Sequence, residues 1–176
     1  MLVAMAGLPG VGKSTLARRL AAVLPRAVVL DKDPIRAALF PLPTLEYSTL
    51  QDDFVVDLML QTAGYLLDKD PAWLVILDGR PFSRAYQVLR LAHFCEQKAV
   101  PLRVIHCTCP DEAARQRLEL AARQNSHLAA NRSYALYLQM KAAAEPVPVP
   151  CLEIDTTRPV QACLFQALDY LFPTQS

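Results

Sequence analysis

The sequence predicts an α/β fold built on a parallel sheet. Three observations carry that expectation. Five short apolar runs alternate with longer helical patterns, and right-handed crossovers turn such an order into a parallel sheet between helices. The first run leads into Gly7-Leu8-Pro9-Gly10-Val11-Gly12-Lys13-Ser14, which fits G-x-x-x-x-G-K-[ST] without a gap. Acidic residues recur where runs end, at Asp31 and Asp33, Asp78 and Asp155. Ligands in such sheets bind beyond the carboxyl ends of the strands.

The elements follow in order. Leu2-Val3-Ala4-Met5-Ala6 reads as the first buried strand. After the glycine loop, 15–24 is rich in good helix formers. Ala27-Val28-Val29-Leu30 is the second strand, and a short helix is expected over 35–40 with Asp33 as its N-cap and Pro34 in its first turn. A long helix is expected over 48–68, with Leu50, Phe54 and Leu58 at four-residue spacing. Core packing is expected to absorb Phe54, Tyr65 and Phe94. Trp73-Leu74-Val75-Ile76-Leu77 is the third strand, ending in Asp78-Gly79, and a helix over 83–98 carries a wet stripe that includes His93.

The fourth strand covers 102–107, and Pro110-Asp111-Glu112 opens the next helix. Polar residues 124–132 are followed by a helix reaching about 144. The prolines of 146–150 make an extended connector to a fifth strand, 151–154. A last amphipathic helix spans 160–172. No repeat or long linker divides the chain, so one domain over 1–176 is expected.

Composition narrows the function. With 53% hydrophobic residues the chain can bury a core. Its formal charge of +1 shows no footprint for a polyanion. The five cysteines are scattered and odd in number, unlike a secreted disulfide framework. No apolar run is long enough to span a bilayer. A cytoplasmic protein is expected.

The glycine loop explains its own spacing. Gly7, Gly10 and Gly12 can take positive φ and let backbone N–H groups converge on phosphate oxygens. The helix that begins near Lys13 adds its positive end. Lys13 can reach the β- and γ-phosphates of ATP, and the Ser14 hydroxyl can ligate Mg²⁺. Gly7, Leu8, Pro9, Gly10, Val11, Gly12, Lys13, Ser14 and Thr15 are therefore the expected nucleotide site. Asp78 is the expected acidic partner of Mg²⁺. Arg115, Arg117 and Arg123, with the polar stretch after them, suggest a mobile lid over about 115–135. His106-Cys107-Thr108-Cys109 lacks a second pair at structural-zinc spacing and reads as a strand end with small buried cysteines.

The whole chain resembles the small single-domain P-loop kinases, in the branch that includes polynucleotide 5′-kinase domains, gluconate kinases and chloramphenicol phosphotransferases. Asp33-Pro34-Ile35-Arg36 looks like the D-x-x-R element of polynucleotide-kinase-like members. The resemblance implies that Asp33 is the general base for the acceptor hydroxyl and that Arg36 holds the acceptor; Asp31 stands close by. It also implies that Arg117 and Arg123 are lid arginines, and that Asp155-Thr156-Thr157 lies beside the adenine. The implied fold is the P-loop NTPase fold, a five-stranded parallel sheet in the order 2-3-1-4-5 between helices, with a small helical lid.

The expected activity is transfer of the γ-phosphoryl group of Mg·ATP to a hydroxyl of a small molecule. The proline-rich, mostly apolar segment 40–46 is expected to shape the acceptor pocket. The alternatives are a polynucleotide or nucleoside 5′-hydroxyl kinase and a nucleotide-binding regulatory module with little turnover. A strand-binding kinase would need a basic track, so nucleic acid is not the favoured partner.

Overall fold

A computed structural model describes residues 1–123 and 133–173. The chain runs β1 (Leu2–Ala6), α1 (Lys13–Val23), β2 (Ala27–Asp31), α2 (Lys32–Leu39), α3 (Thr49–Lys69) and β3 (Leu74–Asp78). It continues with α4 (Ala85–Gln97), β4 (Leu102–Thr108), α5 (Asp111–Arg123), α6 (Tyr134–Ala142), β5 (Cys151–Asp155) and α7 (Val160–Leu171). All four strand pairings are parallel, and the order is β2-β3-β1-β4-β5. This is the topology that the family resemblance implies.

The sheet is covered on both faces, which is why its strands read as unbroken apolar runs. Side chains alternate along each strand. Val3 and Met5 of β1 join a core with Leu16 and Leu20 of α1 and Ala167 and Leu171 of α7. Leu2, Ala4 and Ala6 join a second core with Met59 and Ala63 of α3 and Leu91 of α4. Each large aliphatic side chain buried in this way contributes about 1.5–3 kcal/mol. β1 is therefore fixed from both sides, and so is the loop that leaves it.

Two local expectations change. On α3 the buried stripe is Val55, Met59, Ala63 and Leu67, whereas Leu50 is 81% and Phe54 51% exposed. Apolar residues recur at four-residue spacing on more than one face of α3, and the face that joins the core of β1 and β3 carries Val55, Met59 and Ala63. Phe54 instead meets Phe40 edge-to-face at 5.8 Å, and Tyr65 is exposed beneath the Lys69 ammonium. Helix α2 starts three residues before the expected 35, and its N-cap is Asp31, whose carboxylate accepts from the Asp33 N–H at 3.1 Å. Pro34 is then the third helical residue, where its missing N–H would be unbonded in any case.

The anticipated lid divides. Residues through Arg123 continue α5, α6 begins at Tyr134, and 124–132 lie outside the described residues. Among the described residues, no helix is long and apolar enough to cross a membrane.

Candidate active site

The glycine loop is locked by close approach. Gly7 has φ 128°, and a Cβ there would lie 2.3 Å from the Cys107 carbonyl oxygen. Its N–H donates to Pro81 O at 2.8 Å, tying the loop to the segment after β3. Gly12, at φ 89°, is the N-cap of α1 and makes no side-chain cap. The first N–H groups of α1 thus face the loop with no side-chain acceptor at the cap, as an anion site requires. Lys13 is 8% exposed, and its Nζ donates to Leu8 O at 2.8 Å.

One cleft of about 430 Å³ opens against Gly10, Gly12, Lys13, Ser14 and Thr15, with Arg117 and Thr156 opposite. Arg117 reaches across from α5. Its Nη1 donates to Thr156 Oγ1 at 3.0 Å and to Gly10 O at 3.5 Å, and its Nη2 donates to Thr156 O at 2.9 Å. Thr156 Oγ1 donates in turn to Val11 O at 2.7 Å. Asp155 does not line this cleft. Its Oδ1 accepts from the Thr157 N–H and hydroxyl at 2.9 and 2.8 Å. Those two bonds, backbone first, hold its carboxyl below the usual range. Arg18 also borders the cleft, whereas Arg123 is exposed at the end of α5.

A second cleft, about 220 Å³, lies on the other side of Lys13 and is walled by Lys32, Asp33, Arg36, Tyr47 and Asp52. Arg36 donates from Nη2 to Asp33 Oδ1 at 3.2 Å and from Nη1 to Asp52 Oδ1 at 2.8 Å. Lys32 Nζ lies 2.5 Å from the same Asp52 oxygen and 3.1 Å from Asp33 Oδ1. Asp52 Oδ2 pairs with Arg80 Nη1 at 3.1 Å, and Arg80 Nη2 pairs with Asp53 at 2.6 Å. The Arg36 guanidinium sits 4.5 Å from the Tyr47 ring centroid. Buried cations are thus held by carboxylates of α3 and by Asp33 of α2, as burial of charge demands. Segment 40–46 does not wall this cleft; Tyr47 and Thr49, just after it, do.

Asp78 ends β3, directly opposite Asp31 in the β2–β3 register. It is 1% exposed, and its Oδ1 has no hydrogen-bond partner. An orphaned buried carboxylate oxygen is costly, and this one is a hard donor that could hold a cation or its water. Cys107 is buried at the end of β4, and burial pushes its thiol up to about 12. Burial also lowers the basicity of His106, against a smaller opposing effect of Glu153. Among the described residues, no group of three or more His, Cys, Asp or Glu could hold a metal ion.

The structure thus gathers the expected Lys13, Ser14, Asp33, Arg36, Asp78 and Arg117 at one rim and leaves Arg123 and the Asp155 carboxylate outside it. It adds Asp52 and Lys32, and brings Arg80 and the Thr156 of the expected adenine segment to the same rim. Asp52 carries no motif, since Gln51-Asp52-Asp53 reads as an ordinary polar first turn.

A glycine loop after the central strand of a parallel 2-3-1-4-5 sheet, with a lysine between two clefts, defines a P-loop kinase fold. Residues 2–147 match the profile of the family described as an AAA domain, and the chain belongs to that family. Three solved structures share the fold. A candidate kinase of Chloroflexus aurantiacus J-10-fl superposes with a TM-score of 0.76 at 22% identity, over 97% of this chain and 98% of that one. The Mycobacterium tuberculosis APS kinase CysC, in complex with AMPPNP and APS, gives 0.71 at 20% identity, over 97% and 96%. Chaetomium thermophilum Kti12, in complex with ADP-AlF3, gives 0.71 at 17% identity, over 98% and 100%. No curated protein matches the sequence at a significant level.

Proposed function

We propose that the protein transfers the γ-phosphoryl group of Mg·ATP to a hydroxyl of a small-molecule acceptor. The supporting observation is the place of Lys13. Its side chain borders both the cleft of the glycine loop and the cleft of Asp33. A phosphate bound in the first and a hydroxyl bound in the second would meet at one ammonium.

The roles follow from position. Backbone N–H groups of the loop and Lys13 bind the phosphates, while Thr156 and Arg117 border the nucleotide. Arg36 positions the acceptor, and Asp33 takes its hydroxyl proton. The acceptor oxygen forms a bond to the γ-phosphorus, the bond to the β–γ bridging oxygen breaks, and ADP leaves with that electron pair. Arg117, already at the cleft, offsets charge on the moving group. Arg123 would act only from the lid, which we place over 115–135 of a single unit spanning 1–176. Ser14 and Asp78 are hard oxygen donors that fit Mg²⁺, and the orphaned Asp78 oxygen supports that fit. When bound, Mg²⁺ neutralises phosphate charge. Positioning and fixed charge supply most of the rate in such transfers. The five free cysteines suit a reducing compartment, and we place the reaction in the cytoplasm.

The test is calorimetry with Mg·ATP, followed by a screen of hydroxyl compounds with γ-labelled ATP. Saturable binding and label on a small acceptor are expected. Absence of ATP binding would overturn the proposal.

A further inference from the structure

We propose that the acceptor cleft continues into an outer chamber, and that this chamber takes the second ring of an uncharged, two-ring, hydroxyl-rich acceptor of glycoside type. This rests on the phosphotransferase reading above and adds the size and charge of the acceptor.

The first ground is continuity. Thr49, Asp52, Pro81, Leu136 and Met140 wall both the inner cleft, of about 220 Å³, and a neighbouring chamber of about 490 Å³. Small-molecule sites usually measure about 300–1,000 Å³. The inner cleft alone falls below that range, and the two together fall within it. At the far end Glu145 is tied to the backbone. The Glu145 N–H donates to Ser83 O at 2.9 Å, and its carboxylate accepts from the Ala85 N–H at 2.7 Å.

The second ground is charge. Arg80 is held between Asp52 and Asp53 at 3.1 and 2.6 Å, and Arg84 pairs with Glu145 at 3.0 Å. Among the described residues walling the chamber, each guanidinium already has its carboxylate. An acceptor carboxylate or phosphate in this chamber would be repelled by Asp52, Asp53 and Glu145, with no surplus guanidinium to offset it. A neutral group would not.

The third ground is the character of the walls. Pro81, Leu136, Met140 and Ala143 offer carbon, while Ser83, Tyr86 and Gln87 offer hydrogen-bonding groups. A sugar ring has the same two-sided chemistry, with C–H faces and hydroxyl edges. Leu136 and Met140 stand on α6, so an acceptor filling both chambers would rest against that helix.

The experiment is γ-labelled ATP transfer to matched acceptors. The panel holds neutral one-ring and two-ring glycosides beside their uronic acids and phosphate esters. It is run on the wild type and on Gln139→Trp, which adds bulk to an exposed position in the outer chamber without touching the core. The expected KM for the preferred two-ring acceptor is about tenfold below that of its one-ring fragment, a difference worth about 1.4 kcal/mol. In Gln139→Trp the two KM values should converge. Melting curves check that the variant folds, and Ala143→Phe, at the C-cap of α6, fills the same chamber if it does not. A charged acceptor preferred over its neutral counterpart would overturn the proposal. So would an unchanged KM ratio in the folded variant, or ATP hydrolysis without transfer to any neutral two-ring compound. Failure to bind Mg·ATP at all would remove the phosphotransferase reading as well, which separates the two failures.

Discussion

Thr156 Oγ1 donates to the Val11 carbonyl at 2.7 Å, across a sequence separation of 145 residues. The same oxygen accepts from Arg117, and the Thr156 N–H donates to Thr108 O at 2.9 Å. One residue thus braces the glycine loop against the ends of β4 and β5. Thr156→Val keeps the shape and removes the hydroxyl. We expect ATP affinity to fall about 3–10-fold, the scale of one lost hydrogen bond. Calorimetry giving the wild-type Kd would show that the loop holds its form unaided.

Lys13→Ala removes the ammonium shared by both clefts. Mg·ATP binding should weaken by at least about tenfold, because a charge-assisted contact is worth roughly 1.5–3 kcal/mol. Turnover should disappear with it. Equilibrium binding and ADP release, measured on the same preparation, check both halves.

Asp31 and Asp33 should separate by mutation. Asp33→Asn is expected to lower transfer by about 10²-fold or more with ATP affinity nearly intact, the scale of a lost general base. Asp31→Ala should instead cost about 1 kcal/mol of stability, because Asp31 caps α2. A wild-type transfer rate in Asp33→Asn would reduce Asp33 to a structural partner of Lys32 and Arg36.

Asp52→Ala leaves Lys32, Arg36 and Arg80 short of a carboxylate; their side chains are only 5%, 4% and 3% exposed. Breaking a buried ion pair typically costs about 3–5 kcal/mol. Asp52 is itself 20% exposed, so we expect the lower end. For a chain of this length each kcal/mol shifts the melting temperature by roughly 2–4 °C. A fall of about 6–12 °C is therefore expected in calorimetric melting.

His106 should give the stability a pH dependence. Burial lowers its folded pKa below the unfolded 6.5. As pH falls through 6.5, the unfolded chain takes the proton first, so stability drops on acidification and is complete above that pH. Denaturant titrations from about pH 7.5 to 5 should show this loss, and His106→Gln should flatten it. An identical slope in the variant would place the titration elsewhere.

The strands and the glycine loop were legible because their signals are local. A buried strand shows as an apolar run, and the phosphate motif is contiguous. Topology came through resemblance, and Asp78 and Asp33 through their places at strand ends. Asp52 was not legible as a site residue, because it gains its meaning from partners far off in the chain, and Thr156 came only through the resemblance, with its bonds to Val11 and Arg117 unforeseen. Phe54 misled for a related reason: several faces of α3 are apolar, and only the sheet decides which is covered. The place before Pro34 points to Asp33 as the cap of α2, but β2 runs straight into the helix and Asp31 takes that place.

Asp31 and Asp78 stand side by side in the β2–β3 register, and Lys13 follows the loop from β1, two strands from Asp31. The reacting end is therefore anchored in the sheet. Tyr47, Thr49, Leu136 and Met140 come instead from a loop and two helices that lean over it. In engineering terms the molecule has a chassis and an interchangeable nose. Exchanging 41–47 and the cleft-facing positions of α6, with the buried Tyr137 kept, should redraw which alcohols are accepted while the nucleotide machinery stays in register.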